Sequence, residues 1–196
     1  MAPKSSRALW TAKLAGGNEL PTGKAKAAPS VASGARFRGR LLGIDPSLRG
    51  MGLAVIDVLG ADKFRLIESQ TLKLKKSLTM GECLGEISRT VMDTIARYEL
   101  THAAIEETIY VQNFRTAQIM GVARGAAIGV ASMQGLKIHE YSPLRIKKSV
   151  TGFGRASKEQ MSKQTQALLA LKEPLPFDEA DAVAVAMCHA LTWRDA

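Results

Sequence analysis

The chain has 196 residues, 46% hydrophobic and 23% charged, a balance that fits one globular domain with a single sizeable core and excludes a fibrous or wholly disordered chain. Its 27 Lys and Arg against 18 Asp and Glu leave +9 at neutral pH, which favours a polyanionic partner such as nucleic acid or an acidic membrane surface. Two cysteines, Cys83 and Cys188, are too few for a disulfide framework and lack metal-ligand spacing, so a zinc finger is excluded and a reducing compartment is the simplest reading. The apolar runs are too short to cross a bilayer.

Residues 1–40 hold eight basic groups and one acid, Glu19, and carry +7 of the net charge. The first 36 residues are rich in Ala, Ser, Gly, Pro and Lys, contain no Ile or Phe, and show no sustained period. They are predicted to be disordered, with order starting near Phe37. The chain therefore divides into a basic extension, residues 1–38, and a folded domain, residues 39–196. An inert or weakly electrostatic tail is the simplest reading of the extension, beside a DNA-binding arm or an organelle transit peptide. It lacks the apolar region of a secretory signal.

Leu41-Leu42-Gly43-Ile44, a polar hinge Asp45-Pro46-Ser47-Leu48-Arg49-Gly50, and Met51 to Ile56 predict a hairpin with a broad turn. Phe64 to Leu74 alternates and adds a third strand. Leu78 to Tyr98 is helical, with Leu84, Ile87, Val91 and Ile95 on one face. Ala103-Ala104-Ile105 is a short buried strand. Asn113 to Gln134 is a long helix crowded with Ala, Gly and Ser, where Arg124 stands among small residues. A strand at Lys137 to Tyr141 leads into a basic segment, then a helix opened by the capping-box pattern Ser157-Lys158-Glu159-Gln160. The last helix runs from about Asp178 to Trp193. Three strands followed by alternating helices and strands describe an α/β fold around a five-stranded mixed sheet.

Four carboxylates end apolar elements: Asp45, Glu106, and the pair Asp178 and Asp181 at i, i+3 on a helix start. Such acids, if they converge, repel one another until a hard divalent cation relieves them, and magnesium is held in this way by a few carboxylates plus water and phosphate oxygens. Taken singly, each has a plainer reading: a turn at Asp45-Pro46, a helix cap at Asp178, a solvated Glu106. Taken together beside a basic flank, the metal reading leads. The hairpin with Gly50 and Gly52 also looks like the phosphate-binding hairpin of actin-like ATPases, but that fold needs a second lobe that this length cannot supply.

The sequence resembles the RuvC-type Holliday junction resolvases, crossover junction endodeoxyribonucleases of RNase H-like fold, over about residues 39–192. The resemblance rests on Leu42-Gly43-Ile44-Asp45-Pro46 with Gly52, Ala104-Ile105-Glu106-Glu107, Gly121-Val122-Ala123-Arg124-Gly125, and Asp178-Glu179-Ala180-Asp181-Ala182. It implies an RNase H-like five-stranded mixed β-sheet flanked by helices. It also implies that Asp45, Glu106, Asp178 and Asp181 hold two magnesium ions, replaceable by manganese, and position water at a phosphodiester of a four-way DNA junction. The neighbouring acids Glu107 and Glu179 are the alternative ligands.

The basic residues Arg145, Lys147, Lys148, Arg155, Lys158 and Lys163 read by themselves as a phosphate-contact patch or a solvated face. The resemblance favours DNA contact, most directly at Lys147 and Lys158. It further implies a homodimer built on the small-residue helix, a RuvA/RuvB-like branch-migration motor as partner, and a cytoplasmic, membrane-free setting. Two features depart from the family. Ser47 stands where a Gly usually follows the Asp-Pro, and the loop after Glu106 lacks the usual Phe wedge, leaving Ile109 or Tyr110 to replace it. Tyr110 is favoured because its ring can stack on bases. The alternatives are a junction-binding protein without cleavage and an RNase H-like nuclease acting on RNA:DNA hybrids or flaps.

Overall fold

A computed structural model describes residues 35–107 and 113–195. The N-terminal segment 1–34, and Ile109 and Tyr110 in the loop after Glu106, lie outside the described residues. Five strands form one sheet: β1 (Gly39–Asp45), β2 (Gly50–Gly60), β3 (Lys63–Lys73), β4 (His102–Glu106) and β5 (Lys137–Tyr141), in the order β3-β2-β1-β4-β5. β1 pairs antiparallel with β2, and β2 with β3, whereas β4 runs parallel to both β1 and β5. The expected mixed five-stranded sheet is what forms.

Five helices complete the fold: α1 (Met80–Arg97), α2 (Phe114–Met133), α3 (Pro143–Thr151), α4 (Lys158–Leu168) and α5 (Phe177–Thr192). The two parities of the strands build two cores. Leu42 and Ile44 of β1 with Val55 of β2 pack under α1 and α2 through Ile87, Val91, Ala123 and Ala127. Leu41, Ala54, Ile56 and Ala104 point to the other face and pack under α5. α5 is buried without interruption from Ala182 to Ala190. It is apolar on every side because the sheet lies beneath it and α3 and α4 lie against it.

Local signals account for the helix ends. Thr79 with Glu82, and Ser157 with Gln160, form reciprocal capping boxes. Asn113 accepts from the backbone N–H groups of Arg115 and Thr116. α3 is a helix within what the sequence presents as a basic segment. Its punctuation is nevertheless complete: Ser142 as N-cap, Pro143 in the first turn, and Gly152 with φ 77° after the last turn. Phe37, near which the sequence predicts order to start although the extension is drawn to residue 38, is 5% exposed and sits against His102 and Trp193. An isolated aromatic in a stretch without periodicity gives no sign of that docking.

Two glycines decide how closely α5 approaches. A Cβ on Gly43 would lie 2.1 Å from the carbonyl oxygen of Ala182, and one on Gly52 would lie 2.0 Å from that of Asp178. Any side chain at either place drives the helix backbone off the sheet. Gly52→Ala is expected to cost about 1–3 kcal/mol, or ~2–4 °C of Tm per kcal/mol at this chain length, measured by thermal denaturation. Gly85→Ala on α1, with nothing within 4 Å of the added atom, is the control that leaves Tm unchanged or slightly raised.

Candidate active site

Asp45 closes β1 and Glu106 closes β4, parallel neighbours with Ile44 in register with Ile105. Both carboxylates therefore reach the carboxyl edge of the sheet, where α/β folds gather ligands. Alternation puts Asp45 on the side of Gly43, and Glu106 on the side of Ala104, which is the side α5 covers. Asp178 and Asp181 occupy the first turns of α5. Pro176 is the N-cap and supplies no side-chain hydrogen bond, so Asp178 is not a capping residue. The Asp178 carboxylate instead faces the hairpin turn, with its Oδ2 3.6 Å from where a Gly50 Cβ would stand.

Asp45, Glu106 and Asp181 line one cleft of about 240 Å³ with Lys147, Lys158, Pro143, Ile146 and Met161. Asp178 stands beside them at the hairpin. Burial pushes the Asp45 carboxyl up to about 7, reinforced by the charges of Glu106, Asp181 and Asp178 and opposed by Lys158. Glu106 is raised by burial and then by Asp181, with Lys147 and Lys158 opposing. Asp181 is raised by burial, against the pull of Lys158, whose Nζ is 3.6 Å from its Oδ2. The two lysines hold the acids down only partly. Four oxygen donors, three of them driven toward protonation, fit a hard divalent cation, which would stabilise all of the ionised forms at once.

Neither neighbouring acid is among the residues that line the cleft. Glu179 turns toward β3, where Ser69 Oγ donates to its Oε2 at 2.5 Å. One helix position is a rotation of about 100°, enough to take it out of the cleft. Glu107 follows the strand end and its backbone N–H bonds to the Tyr141 carbonyl.

Among the basic residues, Lys147 and Lys158 enter the cleft, while Lys148, Arg155 and Lys163 are exposed outside it. Arg145 is engaged in the fold: its guanidinium lies 4.9 Å from the Tyr141 ring centroid and donates to Thr192 Oγ1. Arg124 pairs with Glu140 on β5. Sequence reasoning missed the apolar wall, in which Pro143 and Ile146 come from the unread α3 and Met161 from the first turn of α4. It also missed the docking role of Gly43 and Gly52, whose only signal was their place in the first motif.

Comparison with known proteins places this geometry. The family model described as crossover junction endodeoxyribonuclease RuvC matches residues 41–189. The RuvC crossover junction endodeoxyribonuclease of Caldicellulosiruptor saccharolyticus is 39% identical over 154 residues, covering 78% of this chain and 93% of that protein. The one from Pelotomaculum thermopropionicum is 37% identical over 157 residues, covering 79% and 95%. Among solved structures, T. thermophilus RuvC in complex with a Holliday junction substrate superposes with a TM-score of 0.75 at 32% identity, covering 78% of this chain and 93% of that one.

The crowded acids give a pH dependence of defined sign. Asp45 ionises near 7 when folded and near 3.8 when unfolded, so the folded protein binds the proton more tightly. Its contribution to stability is present below about pH 4 and is lost as pH rises toward 7. In chelator, Tm is expected to fall over that interval. Asp45→Asn flattens the slope and raises Tm at pH 7.5 by roughly 2–8 °C, equivalent to about 1–2 kcal/mol. Thermal denaturation of both proteins across pH measures it, and a lower Tm for Asp45→Asn would show that its charge is not penalised.

Proposed function

Because the chain belongs to the RuvC family of crossover junction endodeoxyribonucleases, we propose that it resolves Holliday junctions by paired, symmetric nicks in DNA recombination and repair. The observation that supports this reading is the gathering of Asp45, Glu106 and Asp181 with Lys147 and Lys158 in one cleft at the carboxyl edge of the sheet. Members of this family are metal-dependent nucleases. Asp45, Glu106, Asp178 and Asp181 are the residues that would hold two magnesium ions, with manganese as a substitute. When bound, such ions make water a nucleophile at neutral pH and stabilise the leaving oxygen.

The chain's own residues do the rest. Asp45 and Glu106 are fixed by the strand register, and Asp178 and Asp181 by the seating of α5, so the four acids need no rearrangement to face one phosphodiester. Lys147 and Lys158 place positive charge on the same cleft and draw the scissile phosphate toward a site that would otherwise repel it. Lys148 and Arg155 extend the positive surface along α3 and the loop after it. These contacts position the duplex arms without reading sequence. Arg145, held on Tyr141, adds field rather than a free donor.

Two symmetric nicks call for two sites, and a twofold homodimer supplies them. α2 supports this arrangement: it buries only Ala123, Ala127 and Ala131 and exposes Phe114, Val122 and Met133. Tyr110 is proposed as the stacking residue at the crossover, and a RuvA/RuvB-like motor as the partner that moves the junction. No helix among the described residues is long and apolar enough to cross a membrane, and a cytoplasmic setting is proposed. Residues 39–196 form the proposed nuclease domain, with residues 1–38 a basic extension.

Cleavage of a labelled synthetic four-way junction in magnesium, beside linear duplex, flap and RNA:DNA hybrid, tests the reading. Symmetric nicks confined to the junction are expected. Binding without nicks would favour a junction-binding role, and preferred attack on a control would favour another RNase H-like substrate. Asp45→Asn is expected to keep junction affinity while losing cleavage by on the order of a thousandfold or more. Lys148→Ala is expected to weaken junction binding and to reduce the slope of log K against log salt by about 1, read by binding titrations at several salt concentrations.

A further inference from the structure

The chain contains three histidines, and all three meet. His102 opens β4, His139 lies within β5, and His189 is in the last turn of α5. One ligand nitrogen from each lies within 4.8 Å of the other two. His102 Nδ1 is 2.9 Å from His189 Nε2, and the Tyr141 hydroxyl is 2.7 Å from His189 Nδ1. The Nε2 of His139 is buried with no hydrogen-bond partner. The rings of Phe37 and Trp193 close over the group, 4.8 and 5.2 Å from the His102 ring centroid.

A hydrogen-bonded cluster explains only part of this. The chain from Tyr141 through His189 to His102 satisfies His189 at both nitrogens but leaves His139 Nε2 unmatched, which a buried ring nitrogen tolerates poorly. We propose that His102, His139 and His189 form a metal site for one transition-metal ion of the zinc type, at the end of the sheet opposite the acidic cleft. The ion takes one nitrogen from each ring and leaves a fourth position for water or another small ligand. With metal–nitrogen bonds of about 2.0–2.1 Å, ligand nitrogens stand slightly more than 3 Å apart, so the 2.9 Å pair of His102 and His189 opens slightly while the nitrogens now up to 4.8 Å apart close on the ion by side-chain rotation. The Tyr141 hydroxyl then accepts from His189 Nδ1–H and fixes the ring, as outer partners of metal-bound histidines do.

The surroundings suit this ion. Burial and the neighbouring rings hold His102 down to about 4 and His189 down to about 3, so both are neutral and offer lone pairs at physiological pH. Lys137 and Arg145 are the cations that act on the group, and Asp195 is the acid. Imidazole donors favour zinc, cobalt, nickel and copper, whereas magnesium prefers the oxygen donors of the cleft. The two sites therefore do not compete for the same ion. His102 and Glu106 stand at opposite ends of β4, roughly 13 Å apart along the strand. The proposed ion ties the carboxyl end of α5 to β4 and β5 while the amino end carries Asp178 and Asp181.

The test is a Co2+ titration of the metal-stripped full chain in excess magnesium, which occupies the carboxylates. One equivalent of cobalt is expected to bind, with the visible absorption of a four-coordinate nitrogen-ligated ion, and zinc is expected to displace it and raise Tm by several degrees. His139→Ala is expected to weaken cobalt binding at least tenfold. This ring is half-buried and outside the hydrogen-bonded pair, so the variant should keep its metal-free Tm. His102→Gln is the second variant, and Asp45→Asn is expected to bind cobalt as the wild type does. Failure of the wild type to take up one equivalent of cobalt, undiminished binding in both histidine variants, or loss of binding in Asp45→Asn would overturn the proposal.

Discussion

The contact on which this molecule depends is backbone against backbone. The amino end of α5 lies directly on the β1–β2 hairpin because Gly43 and Gly52 present no side chain there. The carbonyl that covers Gly52 belongs to Asp178 itself, so a residue of the acidic site is also a residue of the packing interface. The seating of the helix therefore fixes both the depth of the core and the distance from the α5 acids to Asp45 and Glu106. A shift that would be a small loss of packing elsewhere is here a displacement of half the site.

That arrangement carries an electrostatic cost. Acids from β1, β4 and α5 crowd at one edge, and burial with mutual repulsion drives Asp45 well above its ordinary range. Lys158 and Lys147 oppose this only in part. The remainder is offset by the two cores: the sheet is covered on one face by α1 and α2 and on the other by a helix with nine successive buried residues, Ala182–Ala190. A site destabilised for its chemistry and held by a rigid scaffold is a common compromise between activity and stability.

The sequence made the strands, most helices and the acidic quartet legible because each rests on local signals: apolar alternation, helical spacing, the Ser157–Gln160 capping box, and acids placed at element ends. α3 was legible in principle from Ser142, Pro143 and Gly152, but its charged residues masked a nine-residue helix with only Ile146 and Val150 buried. The site was harder. The rotation of Glu179 onto Ser69, the hydrogen bond from Arg145 to Thr192, and the meeting of His102, His139 and His189 all join positions far apart in the chain. Such juxtapositions follow from strand order and helix seating, and no local pattern records them.

The central claim is that β1, β4 and α5 deliver their acids to a single divalent-cation site. Anomalous diffraction from crystals of the full chain grown in manganese tests it most directly. The account predicts manganese among the carboxylates of Asp45, Glu106, Asp178 and Asp181, with Glu179 still turned to Ser69. Manganese bound through Glu107 or Glu179 in place of these residues, or a cleft that takes none at saturating concentration, would contradict it.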